Sequence, residues 1–206
     1  MDHQSKAASR DRSAYDEKNA FISRLIKPLP EAHSSTDASF RDIELILAGY
    51  QENYGLNLNP DFQRGHVWTK AQRVAFIEGL YRGTVGESQR IIQFNAPYWG
   101  LDQHDGDLPN EVQIVDGLQR LTTVRLYVAD ELKIFGGLRA SDFNDSRYSV
   151  KMSNWRLRFN IHTFIWRHEL LRYYLDINSG GTPHSKAELE RVRTLLKAAS
   201  TTAQGE

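Results

Sequence analysis

Ile114-Val115-Asp116-Gly117-Leu118-Gln119-Arg120-Leu121-Thr122-Thr123 joins a strand to a helix across a single Asp-Gly pair. Val112 to Val115 reads as a short buried strand, and the helical spacing that follows predicts a helix from Gln119 to Phe135, closed by Gly136-Gly137. A strand that runs straight into a helix leaves the first N–H groups of that helix free. Together with the positive end of the helix dipole, they make the junction an anion site. Arg120 adds a planar fork suited to phosphate, and Asp116 stands at the carboxyl end of the strand facing the same crevice. A plainer reading has Asp116 capping the helix and Arg120 paired with it. Spacing does not choose between the two.

Outward from this junction the chain alternates helices with few, short strands. Residues 1 to 20 read as a loose charged lead-in, and Phe21 to Lys27 as a short helical turn stopped by Pro28 and Pro30. Ser34 to Asp37 reads as a loop and cap before a helix with Phe40, Ile43, Ile46 and Leu47 on one face. Leu56 to Leu58 is a short extended piece. Thr69-Lys70-Ala71-Gln72 has the form of a capping box; Val74, Ile77, Leu80 and Tyr81 follow at helical spacing, and Gly83 is a natural end. Arg90 to Phe94 reads as a strand and Ala96 to Asn110 as a long acidic loop.

Trp155, Leu157, Phe159 and Ile161 alternate with Arg156, Arg158, Asn160 and His162, the pattern of a half-buried strand. Phe164 to Leu175 is expected as a helix, Asn178 to Thr182 as a tight loop, and Leu189, Val192, Leu195 and Leu196 as the buried face of a last helix. The sum is an α+β fold with a small sheet. It divides into a polar lead-in over 1–35, one domain over 36–200 and a polar tail over 201–206.

Composition removes several classes of function. The 206 residues include no cysteine, so disulfides, Cys-ligated zinc, iron–sulfur clusters and thiol nucleophiles are excluded. Lys and Arg number 26 against 26 Asp and Glu, which argues against coating nucleic acid by bulk attraction. No apolar run approaches the ~20 residues of a spanning helix, and Met1 to Glu17 lacks the apolar core of a signal peptide. A cytoplasmic protein without membrane partners is the expectation.

Two further turns resemble the first in being polar and opening a helix. Asn59-Pro60-Asp61-Phe62-Gln63-Arg64-Gly65-His66-Val67-Trp68 places adjacent Gln and Arg donors beside a large aromatic anchor. Asp176-Ile177-Asn178-Ser179-Gly180-Gly181-Thr182-Pro183-His184 offers two glycines whose amides can approach a ligand closely, though taken alone a helix–helix turn is the better reading. A separate run from Arg147 to Arg172 is basic, with Lys151, Arg156 and Arg158 interleaved with aromatic residues. It reads either as a nucleic-acid contact or as a solvated sheet face over core aromatics.

Together the three turns resemble the N-terminal domain of the GmrSD-type restriction endonucleases, part of the ParB/sulfiredoxin-like superfamily. The pattern of that family is Q-R-x-x-x-W, then D-G-Q-Q-R-L-T-T, then I-N-x-G-G-T-P. The chain supplies Gln63-Arg64 with Trp68, Asp116-Gly117-Leu118-Gln119-Arg120-Leu121-Thr122-Thr123, and Ile177 through Pro183, in the same order over roughly residues 40 to 196. Leu118 stands where the family usually has its first Gln, and Gly65-His66 replace the common Pro-Tyr.

The resemblance implies a small mixed sheet surrounded by helices and a domain that binds and hydrolyses a nucleoside triphosphate in a restriction or phage-host defence system. Asp116, Gln119 and Arg120 would carry the chemistry. Gln63, Arg64, Gly117, Asn178, Gly180, Gly181 and Thr182 would hold the nucleotide. Asp116 would position water or hold Mg²⁺. Partners would be DNA or a nuclease or other defence protein. With nothing after Glu206, a stand-alone sensor is the expectation. The rival readings are a non-catalytic DNA- or partner-binding module, such as an adaptor or anti-defence decoy, and a ParB-like nuclease.

Overall fold

The computed structural model describes residues 3–63, 65, 67–100, 105–152, 154–179 and 186–202. The chain divides into two compact units, Met1–Glu31 and Ala32–Glu206. In the first, the expected loose lead-in is instead a long helix, α1 (His3–Ile26). Its sequence has neither Gly nor Pro before Pro28, so nothing interrupts the hydrogen-bond ladder until Lys27 turns left-handed at φ 49°. Tyr15, Phe21, Leu25 and Ile26 on this helix are all exposed.

The second unit is built on a five-stranded mixed sheet, as expected for the α+β class. Its strands are β1 (Ser34–Ser39), β2 (Leu56–Asn57), β3 (Ile91–Asn95), β4 (Val112–Asp116) and β5 (Arg156–His162), in the order β1-β5-β3-β4-β2. β1 and β5 are antiparallel, β5 and β3 parallel, β3 and β4 antiparallel, and β4 and β2 parallel.

Around the sheet lie α2 (Ile43–Tyr54), α3 (Lys70–Arg82), α4 (Leu118–Val128), α5 (Arg167–Ser179) and α6 (Lys186–Thr202). Ile92, Phe94, Ile114, Leu157, Phe159 and Ile161 of the sheet share one core with Ile43, Ile77, Leu121 and Val124 from α2, α3 and α4. A second core holds Val115, Phe62 and Leu108 against Leu170, Leu171, Tyr174 and Val192 of α5 and α6.

Several elements follow their sequence signals. The capping box opens α3: the Thr69 hydroxyl accepts the Gln72 amide at 3.3 Å, and the Gln72 side chain accepts the Thr69 amide at 2.8 Å. β5 alternates exposed Arg156 and Arg158 with buried Leu157 and Phe159. Three segments differ. Ser34 to Asp37, expected as a loop and cap, belong to the edge strand β1. Local propensity is overridden there by pairing with β5, where the Ser35 hydroxyl donates to Asn160 at 2.7 Å and Ala38 is fully buried.

The helix expected to reach Phe135 stops at Val128. Asp130 takes a left-handed φ of 62°, and its carboxylate accepts the Ser141 amide at 2.9 Å. Gly136 and Gly137 then turn a tight bridge between Ile134 and Leu138 rather than end a helix. Finally, α5 begins at Arg167 rather than Phe164, because Phe164 is bound back to β3: its amide donates to Asn95 at 2.8 Å and its carbonyl accepts from the Asn95 side chain at 3.0 Å.

Candidate nucleotide site

The parity of β4 would send Asp116 into the first core with Val112 and Ile114. It does not go there. Between β3 and β4 the register slips, so that Phe94 faces Ile114 while Gln93 faces Asp116 and Val115 is the extra residue. A bulge of this kind re-aims the following side chain, and Asp116 is left half-exposed at the strand end. The next residue, Gly117, sits at φ 94° as the N-cap of α4. A Cβ there would lie 2.7 Å from Ile92 Cδ1 and 3.1 Å from Arg120 Nη2, so glycine is required both by conformation and by space.

Gly117 gives α4 no side-chain cap, so Asp116 does not cap the helix. Arg120 does pair with Asp116: its Nη2 donates to Oδ2 at 2.5 Å. The guanidinium is mostly buried, and its Nε has no partner. An unpaired buried N–H of a charged group is costly to leave so, and here it lies at an uncapped helix N-terminus.

These groups line a cavity of ≈ 530 Å³ between the two cores. Trp68, Phe76, Leu118, Tyr174 and Ile177 form apolar walls, while Gln63, Asp116, Gln119, Arg120 and Asn178 are among its polar groups. Behind Asp116 stands Tyr173, whose hydroxyl is pushed up to about 12 by burial and by the Asp116 carboxylate. Asp116 is the one carboxylate among the described lining residues, and the described residues hold no group of three His, Cys, Asp or Glu placed for a metal. A hard cation here would draw its remaining ligands from phosphate oxygens and water, which is how Mg²⁺ is commonly held.

The structure therefore brings together six of the residues singled out in the sequence: Gln63, Asp116, Gly117, Gln119, Arg120 and Asn178. Three of them bond to backbone groups. The Gln119 oxygen accepts the amides of Val67 and Trp68, both at 3.1 Å, and its nitrogen donates to the Gly65 carbonyl at 3.0 Å. Its side chain thus clamps the loop beside the cavity that it also lines. Asn178 donates to the Tyr174 carbonyl at 2.7 Å within α5. Gln63 donates to the Val115 carbonyl at 3.2 Å. Arg64, Gly180, Gly181 and Thr182 lie outside the described residues.

Lys151, Arg156 and Arg158 lie elsewhere. Arg156 and Arg158 share the carboxylate of Asp37 at 3.3 and 3.1 Å, so the strip is not a bare row of cations. Glu131-Leu132-Lys133, inside the helix expected to reach Phe135, lie instead in irregular chain beyond α4. Asp61 is held by Arg167 at 2.7 Å. Ser88 and Gln89 reach the cavity without any sequence signal, because the β3–β4 pairing carries the start of β3 to the end of β4.

The model of the GmrSD restriction endonuclease N-terminal domain matches residues 43–194. The chain belongs to this family. Membership ties it to restriction-type systems, and the GmrSD match takes in every described residue of the cavity. No curated protein and no solved structure matches the chain. No helix among the described residues of this GmrSD domain is long and apolar enough to cross a membrane.

Proposed function

We propose that this GmrSD-type domain binds a nucleoside triphosphate in the cavity at the β4–α4 junction and hydrolyses it as a signal in a restriction or phage-host defence system. The observation that carries the reading is the convergence of the partly buried Arg120 guanidinium, its Nε unpartnered, and the uncapped N-terminus of α4 on one cavity beside Asp116. A volume of ≈ 530 Å³ is in the range of small-molecule sites.

In the free protein Arg120 is neutralised by Asp116. A phosphate would take over the guanidinium and release the carboxylate. Arg120 and the first amides of α4 would then spread the charge that grows on the equatorial oxygens in phosphoryl transfer. The freed Asp116 would accept the proton of a water whose oxygen attacks the terminal phosphorus, the bond to the leaving diphosphate oxygen breaking as the new one forms. Were Asp116 instead to hold Mg²⁺ beside the phosphate, the ion would supply charge neutralisation. Arg64, Gly180, Gly181 and Thr182 would complete the grip, as the family resemblance implies. Contact with DNA through Lys151, Arg156 and Arg158 draws less support, since Asp37 already engages two of the three.

The test is calorimetry and phosphate release with Mg²⁺ and each common nucleoside triphosphate, on the wild type and on Arg120→Ala. At least one nucleotide should bind. Loss of a charge-assisted contact should weaken that binding by about tenfold to a hundredfold. If no nucleotide binds the wild type, the reading is wrong.

A further inference from the structure

The described part of the loop between Asp61 and Trp68, which lines the cavity through Gln63 and Trp68, is held by side chains from other elements. Its first half is the turn Asp61-Phe62-Gln63, whose three successive carbonyls all accept from one side chain, Arg191 of α6. The guanidinium donates through Nη1 to the Asp61 carbonyl, and through Nη2 to those of Phe62 at 3.3 Å and Gln63 at 3.2 Å. Arg167 of α5 holds the Asp61 carboxylate, one nitrogen to both oxygens at 2.9 and 2.7 Å. Phe62 is fully buried against Tyr174 of α5, with ring centroids 5.3 Å apart. Beyond this turn, Gln119 takes over at Gly65, Val67 and Trp68.

We infer that Arg191 is a positioning residue for the cavity: α6 sets the place of Gln63 and of the loop after it by gripping the carbonyls of the turn. This rests on the nucleotide reading only for its consequence at the ligand, since the grip itself is independent of any ligand. Arg191 is exposed and follows no core requirement of its own, whereas its neighbour Val192 is buried and fixes the rotation of α6. The planar fork is what lets one residue serve three carbonyls. Lysine presents a single ammonium and could replace only part of the grip.

The experiment is hydrogen–deuterium exchange on the full chain without nucleotide, for the wild type, Arg191→Ala and Arg191→Lys, joined to calorimetry with the nucleoside triphosphate that the wild type binds. Peptides covering residues 61–68 should exchange on the order of tenfold faster in Arg191→Ala, with Arg191→Lys between. Peptides from β3, β4 and β5 should be unchanged. Affinity should fall by about tenfold, because a site displaced by a fraction of an ångström loses its fit.

If 61–68 exchanges as in the wild type in both variants, the positioning is refuted. It is equally refuted if the loop loosens and affinity stays the same. Should Arg191→Ala lose protection throughout the molecule, Arg191→Lys decides by the same two readouts. A wild type that binds no nucleotide would overturn the proposed function, while the exchange arm alone would still uphold or refute the grip.

Discussion

At the scale of single residues, the site depends on the backbone at the two positions that flank Asp116. Val115 is the extra residue of the bulge and Gly117 the left-handed N-cap; between them they decide that Asp116 leaves the core and that Arg120 reaches back to it. Gly117 carries the sharper prediction. An alanine there must hold φ near 94° and find room where Ile92 Cδ1 stands at 2.7 Å and Arg120 Nη2 at 3.1 Å. The backbone strain alone costs about 1–3 kcal/mol. Gly117→Ala should therefore lower the unfolding free energy measured in urea by an amount in that range, and, under the proposed function, weaken nucleotide binding by displacing the guanidinium. A variant as stable as the wild type would mean that the turn relaxes without cost.

At the scale of elements, what was legible in the sequence was whatever a local rule controls. The capping box at Thr69, the alternation of β5 as far as Ile161 and the glycine at the β4–α4 junction each act within a few residues and stand as read, whereas His162, expected on the wet face of β5, is buried. β1 was not legible, because serines and an aspartate become a strand only by pairing with β5, more than a hundred residues away. The true end of α4 was hidden for a similar reason, since the carboxylate that holds the chain at Asp130 binds Ser141. Gln119 shows the same limit at the site. Its position was readable, but the loop amides that occupy its side chain were not.

The buried histidine where β3, β5 and α5 meet belongs to this scale too. His162 Nε2 lies 2.9 Å from the Tyr173 hydroxyl and 3.0 Å from Gln93 Oε1, with Phe164 stacked on its ring. Burial lowers its pKa below the ordinary 6.5. The unfolded chain therefore binds a proton near pH 6.5 that the folded state refuses. Stability is full above that pH and declines as pH falls, until the folded-state pKa is reached, with a slope of at most about 1.4 kcal/mol per pH unit. Urea titrations between pH 7.5 and 5 should show this decline, and His162→Gln should flatten it. Parallel slopes in the two proteins would place the effect on other groups.

At the scale of the whole molecule, zero net charge is realised as pairs that tie distant segments together. Asp37 meets Arg156 and Arg158, Glu44 meets Arg125, and Asp61 meets Arg167. Such exposed pairs add little stability singly, so the energy of the fold must come from its cores. Every buried hydrophobic residue among those described lies between Ala38 and Ala199. The family match, by contrast, begins only at residue 43, after β1 and after Phe40. The two boundaries make different predictions.

A chain starting at Ala32 keeps β1, and it should unfold with the same midpoint and cooperativity as the full protein, since the described side chains it loses are all exposed. A chain starting at Ile43 loses the whole β1–β5 ladder, the amide of Phe40 that donates to the Trp155 carbonyl at 2.8 Å, and the Phe40 ring itself, which is 1% exposed. Emptying the place of a buried phenylalanine alone costs about 3–5 kcal/mol, a large part of what a domain of this size has to spare. Thermal melts of the two truncated chains beside the full one give the answer: the shorter should melt well below the other two or fail to fold. Equal midpoints for all three would show that the edge strand is dispensable and that the matched segment is itself the folding unit.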